Sequence, residues 1–164
     1  MPCQGEKAFC TLKASQPLPH PNMHVPVAEF TPEQRLWYGK LIATAVKVDG
    51  VISPDEIDFL ILTFHFLDVA QKQEVQEILR AKGDSPPLPE VPKGFSKTAL
   101  ALILTHVVVV MTADSSLSVK EKLFIEEVAG RVRLSEFTTK GIMEWADRVY
   151  EMEKERRMII SRSQ

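Results

Sequence analysis

The sequence predicts an all-α fold, a pseudo-twofold bundle of about six helices made of two three-helix repeats. Three observations predict it. Apolar residues recur at helical spacing along the chain. Ser and Thr stand at the capping position before most of these stretches. The pattern Asp-x-x-[Ile/Leu]-Ser-x-x-Glu occurs twice, 65 residues apart.

The first helix is expected to begin at Thr31. Thr31-Pro32-Glu33-Gln34 places a capping hydroxyl, a proline at the first helical position and a Gln at the third, which is a capping box. Trp37, Leu41, Ala45 and Val48, joined by Ile42 and Val46, form its apolar face. Asp49-Gly50 should stop it, because Gly takes the left-handed conformation readily. The second helix begins at Ser53, whose box partner is Glu56. Ile57, Leu60, Ile61, Phe64 and Leu67 give it one continuous face. The third covers about 70–81, apolar at Val75, Ile78 and Leu79 and otherwise solvated.

Pro86, Pro87, Pro89 and Pro92 mark residues 83–95 as a stiff linker. The fourth helix runs from Ser96 to Thr112 and is apolar nearly all round after Ala99, so it should be the central, most buried one. The fifth runs from Ser118 to about Val132. The sixth runs from Ser135 to about Ile160, with Ile142, Trp145, Val149 and Met152 as its stripe and Arg156, Arg157 and Arg162 near its end. Residues 1–30 read as a mobile, proline-rich tail before a helical domain over 31–160, with repeats at about 31–82 and 96–160.

Bulk properties exclude several functions. The 164 residues suit one domain plus a tail, and 45% hydrophobic content is enough to bury a core. A net charge of −2 does not steer the chain toward DNA or RNA, so nucleic acid is not an expected partner. The longest apolar stretch, 99–111, contains Thr105 and His106 and falls short of the roughly 18 residues that a membrane span needs. Cys3 and Cys10 could pair or touch a metal, but their simplest reading is two thiols in a reducing compartment. The first residues lack the apolar core of a signal peptide, and the cytoplasm is the expected location.

The repeat aligns without a gap. Asp49 corresponds to Asp114, Ile52 to Leu117, Ser53 to Ser118, Glu56 to Glu121 and Phe59 to Phe124. Its Ser and Glu have a structural explanation as reciprocal helix caps, each worth about 1 kcal/mol. Its Asp does not. An acidic side chain at the end of a helix opposes the helix dipole. Either an Asx turn or a bound hard cation, Ca²⁺ or Mg²⁺, would explain Asp49 and Asp114. An EF-hand is excluded, since Asp49 to Glu56 is too short and lacks the alternating ligands.

Val48-Asp49-Gly50-Val51-Ile52-Ser53-Pro54-Asp55-Glu56 and Ala113-Asp114-Ser115-Ser116-Leu117-Ser118-Val119-Lys120-Glu121 resemble the tellurite-resistance TerB-like family. Related domains precede the J-domain of membrane-anchored DnaJ-like co-chaperones. The resemblance covers about residues 31–150. It implies a pseudo-symmetric helical fold and a non-enzymatic role in stress-response or membrane-linked complexes. It also implies a divalent-cation site on Asp49, Glu56, Asp114 and Glu121. Ser115 departs from the glycine usual in the family, and no J-domain signature follows.

The alternative is a metal-free interaction scaffold. Its partner would be a protein recruited by the tail, the third helix or the Arg-rich end of the sixth. An enzyme is not expected: no phosphate loop, paired Cys ligands or HExxH pattern occurs. His65 and His106 read as histidines of the core or its boundary rather than catalytic bases.

Overall fold

The computed structural model describes residues 24–48, 50, 52, 54–83, 87–112 and 116–162, with backbone alone at 54–56 and 59. Among the described residues the chain is all-helical, with six α-helices and no strand. They are α1 (Pro32–Lys47), α2 (Pro54–Thr63), α3 (Val69–Arg80), α4 (Lys97–Met111), α5 (Val119–Arg131) and α6 (Glu136–Ser161).

The capping residues set the starts. At α1, Gln34 N–H donates to Thr31 Oγ1 (3.2 Å) and Thr31 N–H donates to Gln34 Oε1 (3.0 Å). Ser118 and Glu121 make the same reciprocal pair at α5. Ser96 and Ser135 cap α4 and α6 through their hydroxyls. Ser53 lies outside the described residues.

Three segments differ from the sequence expectation. The apolar face expected to carry the second helix to Leu67 is cut at Thr63. Phe64–Leu67 turn instead, with Leu67 N–H on Phe64 C=O (3.1 Å), yet Phe64 and Leu67 stay buried. The reason lies just beyond. Asp68 and Gln71 form a capping box, and Asp68 must hold an extended backbone to start α3 at Val69. Residues 24–30, expected within the tail, pack on the domain. A short 3-10 turn at Val27–Glu29 leads into Phe30, which meets Phe95 edge-on at 5.1 Å and is buried. The fourth helix is central but not enclosed on all sides: Ile103, Leu104, Val107 and Val108 are buried, whereas Val109 is 40% exposed.

Among the described residues two helix pairings recur in both halves, while the packing of α4 on α5 has no comparable counterpart between α1 and α2. α1 packs on α3 and α4 on α6, while α2 lies on α3 and α5 on α6. α1 and α3 run in the same direction. Gln71 Nε2 donates to Pro32 C=O (2.8 Å) at their starts, and Lys47 Nζ donates to Ala81 C=O (2.6 Å) at their ends. Lys47 is buried there and also reaches Ile78 C=O (3.1 Å), so a cation satisfies the last carbonyls of α3. α4 and α6 also run together, with Lys97 Nζ donating to Arg133 C=O beside the start of α6. α1 packs on α4 and joins the halves.

The described part of the linker is clamped rather than free. Trp37 Nε1–H donates to Pro89 C=O (3.3 Å), Gln34 Nε2 to Lys93 C=O (3.0 Å) and Arg131 Nη1 to Leu88 C=O (2.9 Å). Its prolines lack N–H donors, so these carbonyls are its main handles. No helix among the described residues is long and apolar enough to cross a membrane.

Candidate functional site

Of the four residues proposed for a cation, Glu121 is the one whose side chain is described. It is buried at 5% exposure, and its Oε2 accepts from Ser118 N–H at 2.7 Å. That bond gives the carboxylate its capping role at the start of α5. Glu56 occupies the matching third position of α2, with its side chain outside the described residues. Asp49 and Asp114 also lie outside them, as do Cys3 and Cys10. Among the described residues no three His, Cys, Asp or Glu side chains are placed to share a metal.

Two other features stand out. The first is a groove of about 820 Å³ where α1, α4, the turn after α2 and the entry segment meet. Val27, Ile42, Phe64, Phe66, Leu102 and Val109 give it apolar walls. The turn at 64–67 shapes one wall, and residues 24–27 shape another. The groove exists because α4 presents Leu102, Thr105, His106 and Val109 on the side away from Leu104 and Val108.

Tyr38 and His106 form the groove's polar point. Tyr38 is almost wholly buried, and its hydroxyl is hydrogen-bonded to His106 Nδ1. Burial raises the Tyr38 pKa, so the phenol stays protonated and donates. Nδ1 is then the acceptor, and neutral His106 carries its proton on Nε2. The inner edge of the imidazole is set into the groove wall, and that burial holds its pKa below the ordinary histidine value. The residue as a whole remains exposed to solvent. His65, expected inside the second helix, is exposed in the turn, with Nδ1 3.0 Å from Thr63 C=O.

The His106 shift has a defined sign. A depressed folded pKa means that the unfolded chain binds the proton better. The stabilisation is therefore complete above about pH 6.5 and is lost as pH falls below it through the folded value. Melting of the native chain should fall more between about pH 7.5 and about pH 5 than melting of His106→Gln. Equal slopes for the two proteins would show that the pair does not set this dependence.

The second feature is the far half of α6. At 26 residues α6 is about 39 Å long, against about 22 Å for the 15-residue α4 beside it. Its two fully buried residues, Thr139 and Ala146, both lie in the first half. Trp145, Val149, Met152, Ile159 and Ile160 fall within an arc of about 100° on a helical projection. Trp145 packs on the core, whereas Met152 is 68% and Ile159 69% exposed. The apolar stripe thus starts on the bundle and runs off its end. Glu153 binds Arg156 through both oxygens (2.7 Å each) and also Arg157 (3.2 Å). The hydrogen bonds from Arg156 and then Arg157 pull the Glu153 pKa down to about 2.

The sequence showed the stripe as far as Met152 and the arginines after it. It could not show that α4 stops short of them. No protein-family model matches the chain, and no curated protein or solved structure is significantly similar to it.

Proposed function

We propose that the chain is a non-enzymatic helical interaction domain of TerB-like type, which assembles by pairing the far, solvent-exposed half of α6 with the same helix of a second copy. The observation that carries this is the exposure of Met152, Ile159 and Ile160 on one side of the far half, a side they share with Arg156 and that begins at Trp145 on the bundle. Apolar residues at this spacing are those that two helices bury against each other.

Charge favours an antiparallel pair of copies. Residues 147–155 carry Asp147, Glu151, Glu153 and Glu155 against Arg148 and Lys154, a small acidic excess, while residues 156–162 carry Arg156, Arg157 and Arg162 and no acid. Antiparallel pairing sets acidic against basic segments and brings Glu153 toward the partner subunit's Arg156. Parallel pairing would set like against like. Light scattering of the native chain should give twice the 18.5 kDa chain mass. Met152→Glu/Ile159→Glu should return the single mass with melting little changed, because neither side chain belongs to the core. A single mass for the native chain would refute the pairing.

The TerB-like reading is supported by the all-helical fold and by the two helix pairings that recur in both halves. It extends to Ca²⁺ or Mg²⁺ held by Asp49 and Asp114, with Glu56 and Glu121 as the other carboxylates of the repeated motif. Added Ca²⁺ or Mg²⁺ should then raise the melting temperature of the native chain, but not that of Asp49→Ala/Asp114→Ala. Identical melting with metal and with chelator removes the cation from the proposal and leaves the α6 pairing standing.

A further inference from the structure

The groove at Tyr38 and His106 is not explained by packing or by the α6 pairing. Its volume of about 820 Å³ lies within the range of small-molecule sites, roughly 300–1,000 Å³. Such sites combine apolar walls with a few fixed polar groups. Here the walls come from four helices, the turn after α2 and the entry segment, and the ionisable groups are unusual in kind. They are His24, His65, His106 and the Tyr38 phenol; among the described residues no Asp, Glu, Lys or Arg lines the groove. The chain has 4 histidines, and 3 of them are here.

Among the described residues this lining sets no carboxylate against an anion. It also offers a donor in the neutral state. Tyr38 holds Nδ1 of His106, so Nε2–H is the ring's remaining donor, on a residue that lines the groove. Locking one tautomer through the other ring nitrogen is the usual way a protein fixes which edge of a histidine donates.

We propose that this groove binds a small apolar carboxylate of the fatty-acid type, with its hydrocarbon against the Phe64, Leu102 and Val109 walls and its carboxylate on His106 Nε2. His106 is the headgroup contact, and Tyr38 is a positioning residue that acts through it. The donor selects a carboxylate over an uncharged headgroup because a hydrogen bond to a charged acceptor is the stronger one.

Calorimetric titration of the full chain with dodecanoate and with dodecanol tests the proposal. Dodecanoate should bind one to one, and dodecanol about tenfold more weakly. His106→Ala should weaken dodecanoate about tenfold and leave dodecanol unchanged, which a general structural defect would not do. Tyr38→Phe should weaken dodecanoate less, and its His106 ring nitrogens should show mixed tautomers by NMR. Val109→Arg, at an exposed position, should block the hydrocarbon of both probes. Equal affinity for the two probes, unmoved by His106→Ala, would overturn the proposal by reducing the site to a greasy surface. No binding to the full chain would overturn it too, whether the groove is empty or filled by residues 1–23 of the same chain.

Discussion

Leu104→Ala should cost about 2–5 kcal/mol, the range for a large aliphatic side chain removed from a closed core. Leu104 is 1% exposed on the side of α4 that faces the interior. Its removal leaves a void that the surrounding helices cannot close, because interiors pack at crystal-like density. For a chain of this size the melting temperature should fall by roughly 4–20 °C. Leu102→Ala, two residues away on the groove side, should cost less than half as much, because its side chain already borders open space. Chemical denaturation of both variants checks the comparison. Equal losses would mean that α4 is enclosed all round, as its sequence alone implies, and that the groove is absent.

Trp37→Ala should be similarly damaging, at about 3–5 kcal/mol, but through a different route. Trp37 is 4% exposed, lies 5.3 Å from Phe95 and donates to Pro89 C=O. It holds the linker between the two halves against α1. Without the indole, both the packing and the one donor to Pro89 disappear, and the linker has few other handles. Trypsin cleavage after Lys93 should therefore accelerate at temperatures where the helices remain folded. Trp37→Phe keeps most of the packing and should be cleaved more slowly than Trp37→Ala. Cleavage unchanged from the native rate would show that Gln34 and Arg131 hold the linker unaided.

The reach of the sequence can be judged element by element. The starts of α1, α4, α5 and α6 were legible because each carries a Thr or Ser whose side chain closes the first turn. The end of α2 was not legible. Ile57, Leu60, Ile61, Phe64 and Leu67 keep a helical period whether or not the backbone does, since a turn can bury Phe64 and Leu67 just as well. Asp68-x-x-Gln71 was the available signal, and it outranks periodicity because an extended cap residue cannot sit inside a helix.

The groove was beyond periodicity altogether. Tyr38 and His106 are 68 residues apart, and only the crossing of α1 on α4 brings them together. Burial of one face of α4 follows from its apolar content; which face stays open follows from where α2 ends. Of the repeated motif, Ser118 and Glu121 are accounted for by their mutual cap. Asp49 and Asp114 keep the functional question that the sequence raised, and metal-dependent melting answers it.

The pairing of α6 is tested most directly by the contact itself. In a Cys3→Ser/Cys10→Ser chain, Val149→Cys and Ile160→Cys are prepared separately and mixed under mild oxidation. Antiparallel pairing with Glu153 opposite the partner's Arg156 places Val149 of one copy by Ile160 of the other. The account predicts disulfide between the two different variants, and little between two copies of Ile160→Cys. Efficient cross-linking of Ile160→Cys with itself, or none in the mixture, would contradict it.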